Sequence, residues 1–285
     1  MKRSFSARGA GVSTDWCAND LQAVADAGFA AVDLSLRDIF ESGEAPALIS
    51  ARLDRSGLMP GACPFPYDWR NDREAYEHAM RQLPALLDFA AAIGVKSLYT
   101  RVSESLPEGL AAADVSNVHR DRLHTIAQCL KPFGMSLGLE AVGVESFRQG
   151  RPALMNTLQA VRSELSETFR EHLNIGLLVD VFHLHASGES LDEALGPLPI
   201  DRVIGVHVAD LPWRIDDRAD IIDHERALPD TTGQAPVRSV LRQLHERGCE
   251  APVMIETLSC PTAVIDRPFA EIVRAFGQAF DRVWP

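Results

Sequence analysis

Short apolar runs alternate along the chain with longer stretches whose apolar positions recur three and four residues apart. The first pattern marks buried strands and the second amphipathic helices. Strands are predicted over residues 1–6, 30–36, 58–64, 95–102, 135–142, 175–182, 202–209 and 252–257. Helices are predicted over 20–27, 45–56, 73–93, 116–133, 152–162, 191–195, 237–247 and 269–283. Gly57, Gly94, Gly134 and Gly248 each close a helical stretch, where glycine is favoured. Pro84 predicts a kink or a division in the third helix. The Pro-rich PFPYDWR and the polar stretch 210–236 are loops. Strict strand-then-helix order implies a parallel sheet. Eight such units in 285 residues fit an α/β fold of the (β/α)8 TIM-barrel type, as one domain over residues 1–285. An open doubly wound sheet is the rival architecture. Against it, no GxGxxG opens a strand–helix turn, and the two glycines of ARGAGVS have the wrong spacing.

A parallel barrel builds its site from the C-terminal ends of its strands. Four consecutive predicted strands end on a residue able to hold a metal: Glu140 in MSLGLEAV, Asp180 in LLVDVFH, His207 in VIGVHVAD and Glu256 in VMIET. Alternation places Gly138 with Glu140, Gly205 with His207, and Met254 with Glu256, each opposite branched apolar neighbours. All four polar side chains can therefore face one axis. Three carboxylates there would repel strongly unless neutralised. One divalent metal ion (Mn²⁺, Mg²⁺, Co²⁺ or Zn²⁺) accepts such a donor set. A single Glu or His at a strand end is more often a solvated charge or a hydrogen-bonded core residue. Four at matching depth are what point to a site.

His183 follows Asp180 by three residues and is assigned to the next loop, where it can bond a substrate hydroxyl or support the metal. His185 is read as structural. In the loop after the seventh strand, Arg226 and Arg214 are candidates for a substrate oxygen or anionic group. For Arg214, pairing with the acidic residues of WRIDDRAD is the competing reading. Glu145 and Arg148 follow the fifth strand. Phe65, Tyr67 and Trp69 follow the third, as an apolar wall over a sugar ring or as packing.

Composition narrows the setting. With 46% hydrophobic and 24% charged residues the chain is an ordinary globular one. A formal net charge of -12 argues against binding to nucleic acid or to an anionic membrane. No apolar run approaches the roughly 20 residues of a membrane span. No apolar stretch follows the basic residues of MKRSFSARGAGV, so no signal peptide is expected. Five scattered cysteines without a CxxC fit reduced thiols and a cytoplasmic location. The expected partner is a small molecule, and the oligomeric state is open, a homo-oligomer included.

With these residues in place, the chain resembles the xylose isomerase-like sugar epimerase and isomerase family. The matching pieces are AGFAAVDL, LGLEAV, VDVFHLHASG, VIGVHVAD, RALPDTTGQAPV and VMIET, in the family's order. The resemblance implies one divalent metal held by Glu140, Asp180, His207 and Glu256, with His183 touching substrate. The family's Arg-x-x-Pro-Gly-x-Gly segment stands here as Arg226-Ala-Leu-Pro229-Asp230-Thr231-Thr232-Gly233, its first glycine replaced and its spacing stretched. Where the epimerases carry an Arg six residues after the seventh-strand His, this chain has Trp213, with Arg214 next. The implied activity is isomerisation or epimerisation of a small polyol, ketose or inosose. Glu140 or Glu256 would move a proton α to a carbonyl, through a metal-stabilised enediolate. The alternative is a dehydratase acting on an inosose or dehydroshikimate-type substrate with the same metal site. The DNA-repair branch needs further His and Glu ligands, whereas the early strands here end in Asp33, Leu34 and Pro64. No nucleic-acid substrate is therefore expected.

Overall fold

The computed structural model describes residues 1–70, 72–259 and 265–285. Its elements in order are β1 (Lys2–Ser6), α1 (Ala18–Asp26), β2 (Ala31–Asp33), α2 (Leu36–Glu41), α3 (Pro46–Ser56), β3 (Met59–Pro60), β4 (Ala62–Pro64), α4 (Arg73–Ala92), β5 (Ser97–Arg101) and α5 (Ala112–Leu130). Then come β6 (Ser136–Glu140), α6 (Leu158–Glu164), α7 (Ser166–Glu171), β7 (Ile175–Asp180), α8 (Val181–Ser187), α9 (Leu191–Leu195), β8 (Val203–Val208), α10 (Val237–Glu246), β9 (Pro252–Ile255) and α11 (Phe269–Val283).

All strand pairs are parallel, in the order β3-β2-β1-β9-β8-β7-β6-β5-β4. The two ends of this sheet, β3 and β4, are successive segments on either side of Gly61. The sheet therefore comes back on itself, and the fold is a nearly closed TIM barrel. The predicted third strand is these two segments. Gly61 marks the break for a steric reason: a Cβ there would collide with Asp33 Oδ1 and Ser4 Oγ.

Outward-facing strand residues pack under the helices in one continuous apolar core. The last helix illustrates how the pattern works. Ile272, Val273, Phe276, Ala279, Phe280 and Val283 recur at three- and four-residue spacing and are all buried. Phe276 lies edge-on to Phe5, and Phe280 edge-on to Phe29, with centroids 5.8 and 5.7 Å apart. Burying a side chain of this size contributes about 1.5–3 kcal/mol. Gly277 lets α11 approach the end of α1, where a Cβ would collide with the Ala27 carbonyl.

Several expectations need correction. Pro84 does not divide α4, which runs unbroken from Arg73 to Ala92. The proline is on the exposed face, where water can satisfy the carbonyl that loses its N–H partner. Three short helices, α2, α7 and α8, stand where no helix was predicted. The helix predicted over 152–162 is α6, which begins only at Leu158, after the Thr157 side chain caps it. Among the described residues, no helix is long and apolar enough to cross a membrane.

Candidate active site

The C-terminal ends of β6, β7, β8 and β9 bring Glu140, Asp180, His207 and Glu256 together. One donor atom from each lies within 4.8 Å of all the others. The register explains how. Asp180 stands opposite His207, but only because the β7–β8 ladder slips by one residue between Leu177 and Leu178. Without that bulge Asp180 would face Val206, whose side chain points to the helices. Glu256 lies one residue past β9, where its N–H still donates to the Val208 carbonyl at 3.0 Å.

Asp180 is held from two sides. Its Oδ1 accepts from the N–H groups of Phe182 and His183, so it caps α8 directly. Its Oδ2 accepts from Arg226 Nη1 at 2.9 Å. Because the cap is the strand's own last residue, no loop separates β7 from α8. His183 therefore sits in the first turn of that helix, not in a loop.

Arg226 lies at the centre of the charge network. Its side chain is 1% exposed. Nη1 also donates to Glu256 at 3.1 Å, and Nη2 donates to Asp223 Oδ1 and to His183 Nε2. The guanidinium lies over the Phe182 ring, 4.4 Å from its centroid. Arginine only donates, so His183 Nε2 must accept and its proton must be on Nδ1. Asp210, fully buried at the end of β8, fixes the loop that delivers Arg226. Its backbone pairs with Ala227, and its carboxylate accepts from Thr232, Gly233 and Ala235. Asp230, in place of the family's first glycine, takes a left-handed φ of 69°. Asp tolerates that region better than most residues.

Burial pushes the Glu140 carboxyl up to about 8, and the negative charge of Glu256 adds to the effect. Burial acts on Glu256 too, but His207 and Arg226 overcome it and hold that group well below the usual carboxylate range. Asp180 is likewise held low, by Arg226 and then His183 against burial. Burial would lower His207, yet Glu256 and Glu140 raise it to about 9. Without a metal the cluster thus keeps one proton on Glu140 and an extra one on His207. A divalent cation would replace those two protons charge for charge. Neither ring nitrogen of His207 has a hydrogen-bond partner, although Nδ1 lies 3.7 Å from Glu140 and 3.5 Å from Glu256. An unpartnered buried imidazole among three carboxylates fits a metal site better than a structural network.

Above the cluster opens a cavity of about 460 Å³, lined by Glu140, His183, Arg226 and Glu256 together with an aromatic wall of Phe65, Tyr67 and Tyr99. Trp69 is not part of that wall. It is fully buried, its Nε1 donating to Thr100 Oγ1 at 2.9 Å. Arg214 is not brought to the cavity either. Its side chain is 81% exposed, and it donates to Asp216 at 3.1 Å, the pairing that its acidic neighbours favour. Glu145 and Arg148 pair with each other at 3.3 Å. Asp223, Arg8, Arg101 and Tyr99 line the cavity without having been singled out in the sequence. Asp223 could have been found as the acidic residue three before Arg226, and Arg101 as a further charged strand end.

A model of the xylose isomerase-like TIM barrel matches residues 21–271. Among solved structures, a xylose isomerase domain protein from Alicyclobacillus acidocaldarius superposes with a TM-score of 0.82 at 22% identity, over 99% of this chain and 98% of that one. The IolI protein with a bound zinc atom gives 0.81 at 17% identity, with the same coverage. The 3-keto-D-glucoside 4-epimerase YcjR from E. coli gives 0.74 at 17% identity, again over 99% and 98%. No curated protein matches the sequence at a significant level.

Proposed function

Since the chain belongs to the xylose isomerase-like TIM-barrel family, we propose that it is a divalent-metal-dependent isomerase or epimerase of a small sugar, ketose or inosose. The observation that carries the reading is the buried Glu140–Asp180–His207–Glu256 cluster at the floor of the cavity. The zinc-bound IolI protein and the 3-keto-D-glucoside 4-epimerase, which share the fold, support it. The four described cysteines are free, in keeping with a reducing, cytoplasmic setting.

A divalent cation on these four residues would act as a Lewis acid toward a substrate carbonyl. The remaining work belongs to the chain's own groups. Glu256, kept ionised by His207 and Arg226, is the acceptor for the proton α to the carbonyl. Glu140, the other carboxyl of the cluster that lines the cavity, is the group that returns a proton to another atom or face. His183 and Arg226 bound the same cavity and orient substrate hydroxyls. Phe65 and Tyr67 line the same cavity and give it apolar surface.

The test is a Mn²⁺-supplemented screen of inososes, ketoses and hydroxypyruvate, read by mass and chirality. An isobaric product is expected. A product lighter by one water would assign the dehydratase reaction instead, because both begin with the same proton removal. No turnover of any member by metal-loaded protein would count against the reading.

A further inference from the structure

Four arginines line the cavity above the cluster: Arg8, Arg70, Arg101 and Arg226. Two have carboxylate partners. Arg226 is bound by Asp180, Asp223 and Glu256, and Arg70 donates to both oxygens of Asp68 at 2.9 and 3.1 Å. Arg101 and Arg8 differ. Arg101 ends β5 on the same face as Tyr99, which meets His207 edge-on at 4.6 Å. It stands beside Glu140 in the β5–β6 register yet forms no ion pair with it. Its guanidinium instead lies over the Phe147 ring, 5.5 Å from the centroid. Arg8 lies two residues past β1 and is exposed at the cavity mouth. Among the described residues, neither side chain donates a hydrogen bond within the protein.

We propose that the substrate is a polyhydroxy ketone carrying an oxyanion, a carboxylate or a phosphate, which Arg8 and Arg101 bind. This rests on the isomerase or epimerase reading above. The charges argue for it. A divalent ion and Arg226 supply three positive charges against the four carboxylates Glu140, Asp180, Asp223 and Glu256. Arg8 and Arg101 then tip the cavity to one net positive charge, in a chain whose net charge is -12. A neutral sugar offers them only hydroxyls. A carboxylate or phosphate accepts the planar guanidinium fork through two parallel bonds. Phe147 supports the face of Arg101 and leaves its in-plane N–H groups free, so little order is lost on binding. The oxyanion would anchor the end of the substrate remote from the reacting carbon, and so fix which carbon lies over Glu140 and Glu256.

The experiment is isothermal titration of the Mn²⁺-loaded protein with D-fructose, D-fructose 6-phosphate and 5-keto-D-gluconate. At least one anionic ligand is expected to bind ten-fold or more tighter than fructose, and to weaken as salt rises. Which one does so separates phosphate from carboxylate. Arg8→Gln and Arg101→Gln should each remove about ten-fold of that anion affinity and leave fructose binding unchanged, with unaltered melting as the check on folding. Equal affinity for all three ligands, no binding of any, or an anion preference that survives the double variant would overturn the inference. Anion-selective binding without turnover would count against the isomerase reading alone.

A separate observation carries a second inference. On the outside of the barrel, α5 and the end of α7 bring His124, Glu171 and His172 together. His124 Nδ1 and His172 Nε2 are 3.0 Å apart, and each lies 3.9 Å from Glu171 Oε2. A point equidistant from three atoms so spaced is about 2.1 Å from each, the bond length of zinc to imidazole nitrogen or carboxylate oxygen. His124 and Glu171 are exposed and His172 is largely covered, so the donors are held while solvent has access. We infer that these three residues form a second, peripheral site for a transition-metal ion such as Zn²⁺, with water in the remaining positions. It joins α5 to the chain that enters β7. Metal analysis after dialysis against dilute Zn²⁺ should find two ions per chain in the unaltered protein and one in the H124A/H172A variant. One ion in the unaltered protein, or two in the variant, would overturn it.

Discussion

Glu256→Gln is expected to lower turnover by about 10²–10⁴-fold, the usual contribution of a positioned acid or base, while the barrel stays folded. The amide has the volume of the carboxylate, and its oxygen can still accept from Arg226 Nη1, now 3.1 Å away. What is lost is the ability to take a proton and one of the charges that would hold the metal. In the metal-free protein the change also removes the charge that helps raise Glu140. His207→Ala tests the same site from the other side. It deletes a ring whose two nitrogens have no hydrogen-bond partner, so the protein loses a metal donor together with the charge that faces Glu140 and Glu256. Its metal content should fall at least as far as the 10–100-fold affinity loss typical of residues that merely support a ligand. The measurements are steady-state rates on whichever substrate the screen yields, and metal content after gel filtration. Full metal and full turnover in both variants would remove these residues from the mechanism.

Much of the barrel can be read from the chain because parallel strands covered on both faces are almost uninterrupted apolar runs. In β6 and β7 the charged residues are Glu140 and Asp180, and both lie at the end that forms the site. What escaped detection depends on geometry that no local pattern encodes. The bulge opposite Leu177 turns His207 toward Asp180, in a crowded stretch of the barrel around Gly138, Gly176 and Ile204. The identity of Asp180 as a helix cap depends on its side chain folding back onto Phe182, which moves His183 from a loop to a helix. Arg8 and Arg101 are far apart in sequence and come to line one cavity only when the barrel closes. Arg226 was visible from its place in the loop after the seventh strand, but its partners Asp223, Asp180 and Glu256 belong to three segments. Arg214 and Trp213 show the converse. Position after a strand alone does not bring a side chain inward, and both are exposed.

Arg226→Met should be the most destabilising change at the site in the absence of metal. The guanidinium touches Asp180, Asp223 and Glu256, all largely or wholly buried, and supplies the fixed positive charge among them. Methionine keeps the apolar contact with Phe182 but leaves the carboxylates unpaired. Removing one partner of a buried ion pair costs about 3–5 kcal/mol. In a chain of this size that is a fall of about 5–15 °C in melting temperature. His207 and His183 cannot replace the lost charge fully, since burial holds His183 below its ordinary pKa. A divalent cation can. Ligand binding to the folded state adds stability that grows with its affinity, and the variant's unpaired carboxylates attract the cation more strongly. Added Mn²⁺ should therefore raise the variant's melting temperature by more than it raises that of the unaltered protein. Differential scanning calorimetry with and without Mn²⁺ reads both effects. A variant that melts with the unaltered protein in EDTA would show that Arg226 does not hold these carboxylates. An equal Mn²⁺ shift in the two proteins would show that the cation and the guanidinium do not share them.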